Sequence, residues 1–279
     1  MRSRIVLGDS LKVLRRLPAE SVDLTVTSPP YNKRKKNTGW LVSNDSYSHF
    51  DDHLPEETYQ REQICVLDEL FRVTKPGGSA FYNHKIRWEE GTLIHPLSWL
   101  TQTKWAVKQE IVWDRGLAAN MRGWRFWQVD ERIYWLYKPV DDYLIGEELQ
   151  SKHAKLTSIW RIKPVPRRDD HPAPFPIELA SRVIFSVLDS TKGVVLDPYC
   201  GTGTTLTAAK ILGHSYIGID ISPDYIKLAR QRIQDSQTES QLVEAECAIH
   251  NVGRSYKERR KGDVSWPFGP RGSNSNGQK

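Results

Sequence analysis

Two short stretches hold the residue types from which a reactive site can be built. The first is Ser28-Pro29-Pro30-Tyr31: a hydroxyl, two residues that stiffen the backbone and carry no amide proton, and an aromatic ring. The second is Asp197-Pro198-Tyr199-Cys200-Gly201-Thr202-Gly203-Thr204-Thr205. Its two glycines let backbone approach a ligand closely, and the amides of a following helix start can receive a carboxylate or hydroxyls. Asp220 lies fifteen residues beyond Thr205, at the end of the next apolar run, where a carboxylate can accept both hydroxyls of a ribose. Leu206 stands where a dinucleotide fingerprint has its third glycine, and no Gly-Lys-Ser/Thr follows. Dinucleotide and P-loop chemistries are thereby disfavoured, and a ligand with an adenosine but no phosphates fits better.

These stretches need strands that end where they begin. Residues 22–27 form an alternating apolar run that leads directly into Ser28, and residues 193–197 do the same for the glycine loop. Two prolines cannot continue a central strand, so Ser28-Pro29-Pro30-Tyr31 is a rigid loop at a strand's carboxyl end. Further strands are expected at 5–7, 79–82, 106–113, 132–137 and 216–220, with a lone strand near 158–162. Helices are expected from Ser10, with Ser10 as cap and Leu11, Leu14 and Leu17 on one face, and over 56–73, 92–103, 177–188, 206–212 and 223–233. Pro76-Gly77-Gly78 is expected to stop the second of these. Alternating strands and helices imply an α/β, Rossmann-like, doubly wound and mostly parallel sheet. One catalytic domain is expected in two halves, 1–138 and 171–250, around a short insert at 139–170, with a basic, flexible tail over 251–279.

Bulk properties limit the setting. The 279 residues carry a net charge of +6, and no apolar run approaches the ~18 residues of a membrane span. Met1-Arg2-Ser3-Arg4 leads into a strand without a signal-peptide core, so a cytoplasmic location is expected. Cys65, Cys200 and Cys247 are too dispersed for a disulfide framework or a zinc site, and no metal is expected. From His250 onward, seven basic residues oppose two acidic ones, a net +5 suited to a polyanion. The tryptophans crowd between Trp88 and Trp160 and suit a surface that stacks on bases.

Taken together, Asp197 to Thr204 and Thr27-Ser28-Pro29-Pro30-Tyr31-Asn32 closely resemble the S-adenosylmethionine-dependent amino DNA methyltransferases. The catalytic motif precedes the cofactor motif, as in the permuted β class of that family. The resemblance covers about 4–137 and 171–232. It implies that Asp197, Pro198, Cys200, Gly201, Thr202, Gly203, Thr204, Thr205 and Asp220 hold S-adenosylmethionine. It adds Asp9, in an acidic turn beside the adenine, and Phe175, whose ring packs near the cofactor. Arg72-Val73-Thr74-Lys75-Pro76-Gly77-Gly78 and Glu110-Ile111-Val112-Trp113 resemble, respectively, a helix-to-strand turn and a strand near the target base.

The implied chemistry explains the residue types. An exocyclic amine conjugated with its ring is a poor nucleophile. Hydrogen bonds from it to the Ser28 hydroxyl and the Pro29 carbonyl favour a lone pair turned out of conjugation. Tyr31 would stack on an extruded base, with Pro30 helping to hold the loop. Ser28 resembles the cytosine-N4 branch, since a hydroxyl can also donate to the neighbouring ring nitrogen; the adenine-N6 branch more often has Asp there. Adenine remains the alternative, followed by an RNA or protein-amide methyltransferase or an inactive binding module. Double-stranded DNA is the expected partner, through Lys33, Arg34, Lys35 and Lys36 after the catalytic loop and through Arg122, Trp124 and Arg125. A second copy of the chain and a cognate restriction endonuclease are further candidates, and no membrane is expected.

Overall fold

The computed structural model describes residues 2–32, 54–118, 121–141, 157–165, 175–188 and 191–251. Ten strands and seven helices are found among them, in the chain order β1 (Arg4–Leu7), α1 (Ser10–Leu14), β2 (Val22–Thr27), α2 (Glu56–Val73), β3 (Thr74–His84), β4 (Arg87–Glu89), β5 (Thr92–Ile94), α3 (Leu97–Leu100), β6 (Ala106–Asp114), β7 (Asp130–Tyr137), β8 (Ile159–Arg161), α4 (Ile177–Val187), β9 (Val194–Asp197), α5 (Thr204–Ile211), β10 (Ser215–Asp220), α6 (Pro223–Gln234) and α7 (Gln237–His250). Eight strands make one sheet in the order β1-β10-β9-β2-β3-β7-β6-β8, and β4 pairs with β5 as a separate hairpin. Every junction from β1 to β3 is parallel, β7 runs antiparallel to both β3 and β6, and β8 returns parallel to β6. This is a Rossmann-like α/β sheet, doubly wound and mostly parallel, as expected.

Side chains alternate across the sheet and divide its core into two layers. Ala80 and Tyr82 of β3, Tyr134 and Leu136 of β7, and Val194 and Leu196 of β9 face α1, α2 and α3. Their neighbours Phe81, Ile133, Trp135 and Val195 face α4, α5 and α7 instead. Helix α2 buries Tyr59, Gln63, Val66, Leu67, Leu70 and Val73, a helical stripe of spacing three and four. Its Arg72 reaches back to the Leu14 and Leu17 carbonyls at 2.8 and 3.0 Å, tying α2 to the end of α1.

The fold departs from the sequence expectation at several points. Asp9, not Ser10, caps α1 by accepting from the Lys12 amide. Helix α2 ends at Val73 as expected, but β3 begins at once, five residues early, so that Pro76-Gly77-Gly78 lies inside it on a stretch where pairing with β2 slips register and Gly77 takes φ +80°. The expected helix over 92–103 is mostly the β4–β5 hairpin and the single turn α3, because Pro96 permits only a fresh start at Leu97. The expected lone strand at 158–162 is an edge strand of the main sheet. Helix α7 has no counterpart in the sequence expectation. Trp99, Trp105, Trp113, Trp135 and Trp160 are core residues, so only Trp88, Trp124 and Trp127 are left from that crowd for a surface role.

Candidate active site

Four parallel strands bring their carboxyl ends together, as ligand sites in open α/β sheets require. Ser28 follows β2; Pro198 follows β9, its neighbour; Asp220 ends β10; Asp9 follows β1, whose Leu7 pairs with Asp220. Side chains then tie these ends to one another. Thr27 Oγ1 donates to Asp197 Oδ1 at 2.8 Å, and Ser10 Oγ donates to the Pro198 carbonyl at 2.5 Å. The catalytic and glycine loops, distant in sequence, thus share one edge.

Within the glycine loop, most of the polar groups stabilise the loop itself. Asp220 accepts from the Gly201 amide through Oδ2 and from the Ser222 amide through Oδ1, both at 2.8 Å. Thr204 Oγ1 and Thr202 Oγ1 accept from Arg232 of α6, at 2.7 and 3.4 Å. Thr205 Oγ1 donates to the Val26 carbonyl at 3.2 Å. Gly203 has φ +84°, and a Cβ there would stand 3.0 Å from that of Ala229. Its glycine is needed for helix approach as well as for conformation. Cys200 is buried against Gly218, and burial pushes its thiol up. Phe175 packs, half-buried, beside the layer that holds α4.

Asp197 is the electrostatic centre of this half. Burial pushes its carboxyl up to about 6, against hydrogen bonds from Thr205, Thr27 and the Tyr199 amide; Asp220 raises it further. Two carboxylates at one low-dielectric edge suit a cationic ligand, and S-adenosylmethionine carries a sulfonium and an ammonium. The donor set therefore fits that cofactor.

The catalytic loop sits on a polar network that sequence reasoning missed. The Tyr31 hydroxyl lies 2.6 Å from Ser28 Oγ, donates to Glu131 Oε2 at 2.9 Å and accepts from Asn83 Nδ2 at 2.7 Å. Asn83 Nδ2 also reaches Glu131 Oε2 at 2.9 Å. Glu131 is buried, and burial alone would raise it. Lys85 at 3.3 Å and Arg115 at 2.6 Å, with the bonds from Asn83 and Tyr31, hold it down at about 2. Tyr31 is 8% exposed, its ring 4.9 Å from that of His84. Burial, with Arg87 nearby, pushes His84 down to about 3; its Nε2 meets the Tyr59 hydroxyl at 2.6 Å. That hydroxyl also lies 2.7 Å from the Pro30 carbonyl, so the proline pair is anchored to α2.

Asn32, in the left-handed region at φ 52°, reaches the Leu54 carbonyl at 2.9 Å and Glu56 at 3.4 Å. Arg87 closes this clamp with two bonds to Glu56, of 2.6 and 2.7 Å, and stacks over the Tyr59 ring. Lys33, Arg34, Lys35 and Lys36 lie outside the described residues, as do most of 139–170 and the tail from 252. Arg122, Trp124 and Arg125 sit on the connection between β6 and β7, with Arg125 3.9 Å above the Trp88 ring. Phe126 and Trp127 beside them are 98% and 61% exposed. The Arg115 amide bonds the Val129 carbonyl at 2.9 Å, so this connection rises from the strands that carry Glu131.

Asn83 and Arg115 had a readable signal, since they end or follow strands at this edge. Glu131 did not: it begins an antiparallel strand, and only the pairing of β7 with β3 carries it to the site.

The fold and the paired loops define a methyltransferase, and comparison narrows the class. Residues 22–231 match the DNA methylase family N6_N4_Mtase. Type II methyltransferase M.ScaI of Streptomyces caespitosus is 30% identical over 258 residues, covering 81% of this chain and 80% of that protein. Type II methyltransferase M.HinfI of Haemophilus influenzae is 28% identical over 252 residues, covering 83% and 68%. A protein of Thermus thermophilus assigned as a DNA modification methylase, solved with S-adenosyl-L-methionine, superimposes with a TM-score of 0.60 at 27% identity, covering 84% of this chain and 95% of that one. The PvuII cytosine-N4-specific DNA methyltransferase shares the fold, with a TM-score of 0.68 at 18% identity over 91% of this chain and 94% of that one. The chain belongs to the amino DNA methyltransferase family, whose members modify cytosine N4 or adenine N6.

Proposed function

We propose that this chain transfers the methyl group of S-adenosylmethionine to cytosine N4 in duplex DNA, as a site-specific type II modification enzyme. The observation that carries the reading is the Thr27–Asp197 bond, which holds the Ser28-Pro29-Pro30-Tyr31 loop beside the glycine loop. Bound there, S-adenosylmethionine supplies an electrophilic methyl. Asp220, Asp9, Phe175 and the 197–205 loop hold the donor. Ser28 Oγ and the Pro29 carbonyl orient the amine, and in-line placement contributes much of the rate. The cytosine assignment rests on serine at position 28; adenine N6 is the second reading. Lys33 to Lys36, Arg122, Trp124 and Arg125 contact DNA. Residues 1–138 and 171–250 form the catalytic domain, 139–170 a recognition insert and 251–279 a basic arm. A cognate endonuclease and a second copy of the chain are the protein partners this reading admits.

Labelled methyl transfer to DNA of varied sequence, followed by nucleoside analysis, tests the proposal. N4-methylcytosine is the expected product. N6-methyladenine would overturn the base assignment alone, and transfer only to RNA or protein would overturn the DNA reading.

A further inference from the structure

Among the described residues, three groups stand around the Tyr31 hydroxyl, and their chemistry directs its proton. A phenol has one proton and two lone pairs. Asn83 Nδ2 can only donate, and it stands 2.7 Å from the Tyr31 oxygen. The reversed amide would set Asn83 Oδ1 against Glu131 Oε2 at 2.9 Å, acceptor on acceptor, so the orientation is settled by its neighbours. Glu131 is clamped by Arg115 and Lys85 and can only accept, which draws the Tyr31 proton toward it. Two contacts remain among the described residues: Asn83 Nδ2 also donates toward Ser28 Oγ at 3.4 Å, and Ser28 Oγ stands 2.6 Å from the Tyr31 oxygen. With the phenol proton committed to Glu131, Ser28 must donate into the second lone pair.

We propose that Glu131 is a positioning residue that acts through the Tyr31 hydroxyl, turning the Ser28 proton inward so that Ser28 Oγ meets the target amine with lone pairs alone. The inference rests on the amine-methylation reading and holds for either base. It gives a neutral serine the acceptor-only behaviour of a carboxylate, which is what a donor amine with two N–H groups needs beside the Pro29 carbonyl. The Ser28 proton is then unavailable to the base's ring nitrogen, so the donation expected from the sequence is lost, recognition of that nitrogen falls to another group, and the cytosine reading rests on the family resemblance of serine at this position alone. Without the carboxylate, the Tyr31 proton can turn toward Ser28 and expose the serine's own proton to the amine, donor against donor.

Three variants test the relay: Glu131→Gln, Tyr31→Phe and the double substitution. All are close in shape to the native side chains, and Tyr31→Phe keeps the ring against His84. Each single variant is expected to lower kcat roughly tenfold to a hundredfold, with S-adenosylmethionine affinity held within about twofold. The double variant should be no slower than the slower single one, because both remove the same path. If Tyr31→Phe turns over at the wild-type rate, the relay is wrong whatever Glu131→Gln does. Full cost of Glu131→Gln in the Tyr31→Phe background would also overturn it, by showing that Glu131 acts elsewhere. Absence of methyl transfer by the wild type, measured first in the same assay, removes the functional reading and the relay with it. Wild-type transfer with unaffected variants removes only the relay.

Discussion

Thr27 Oγ1 and Asp197 Oδ1 are 2.8 Å apart although 170 positions separate them in the chain. The bond joins two adjacent strands at the point where each gives way to a loop, and its acceptor is the most deeply buried carboxylate of the site. A local contact therefore sets the distance between the glycine loop and the Ser28-Pro29-Pro30-Tyr31 loop. Its acceptor also carries an unusual charge state.

That charge state gives stability a pH dependence of defined sign. Asp197 titrates near 6 in the fold, up from 3.8, so the folded chain binds this proton more tightly than the unfolded one. The contribution is fully present below about 3.8 and is lost as pH rises through about 6, by about 3 kcal/mol for a shift of this size. Glu131, lowered from 4.5 to about 2, works in the opposite sense, and its contribution is lost only as pH falls below about 4.5. Asp197→Asn should be more stable than wild type at pH 7.5 and approach it at pH 5. Urea unfolding midpoints at the two pH values check this, and a constant offset between the proteins would exclude it.

Ser28→Ala removes the acceptor proposed for the amine while leaving Tyr31 bonded to Glu131 and Asn83. Methyl transfer is expected to fall roughly a hundredfold, with S-adenosylmethionine binding unchanged. Asp220→Ala should do the reverse. It frees the Gly201 and Ser222 amides and removes the proposed ribose acceptor, so the cofactor's Kd should rise tenfold or more. Calorimetric titration and single-turnover transfer separate the two. A Ser28→Ala enzyme with near-native turnover would refute its role.

Gly203→Ala addresses the glycine loop's architecture. The new methyl meets Ala229 Cβ at 3.0 Å and Cα at 3.2 Å, and φ +84° is strained for alanine. A loss of about 1–3 kcal/mol of stability is expected, with α6 displaced and cofactor affinity reduced. Because Arg232 of α6 donates to Thr204 and Thr202, the damage should reach the loop from both ends. Thermal melting with and without cofactor reads this; an unchanged Tm would show that the helix yields freely.

What could be read in the sequence follows from how local each cause is. Strands that run into Ser28 and Pro198 announce themselves through apolar runs ended by proline and glycine, and β2 and β9 lie where that pattern puts them. The stop at Pro76-Gly77-Gly78 was legible, since α2 ends at Val73, but the start of β3 at Thr74 was not, because it depends on pairing with β2. The tryptophans misled because an indole serves core and surface equally, and burial is a tertiary property. Glu131 was beyond local reading, since its contact with the catalytic loop is to Tyr31, 100 positions away.

The connection between β6 and β7 offers the clearest test of DNA contact among the described residues. Arg122 and Arg125 there lie beside Trp124, Phe126 and Trp127, and a nearly fully exposed phenylalanine has no folding advantage to explain it. If the arginines neutralise phosphates, Arg122→Ala should lower the slope of log affinity against log salt by about 0.9, with a similar change for Arg125→Ala. If Phe126 stacks on a base, Phe126→Ala should weaken duplex binding about tenfold and leave that slope alone. Neither change should alter cofactor affinity, because the glycine loop lies on other strands of the sheet. Fluorescence anisotropy across a salt series distinguishes the two contributions. Equal slopes and equal affinities in all three variants would move the DNA interface away from this connection.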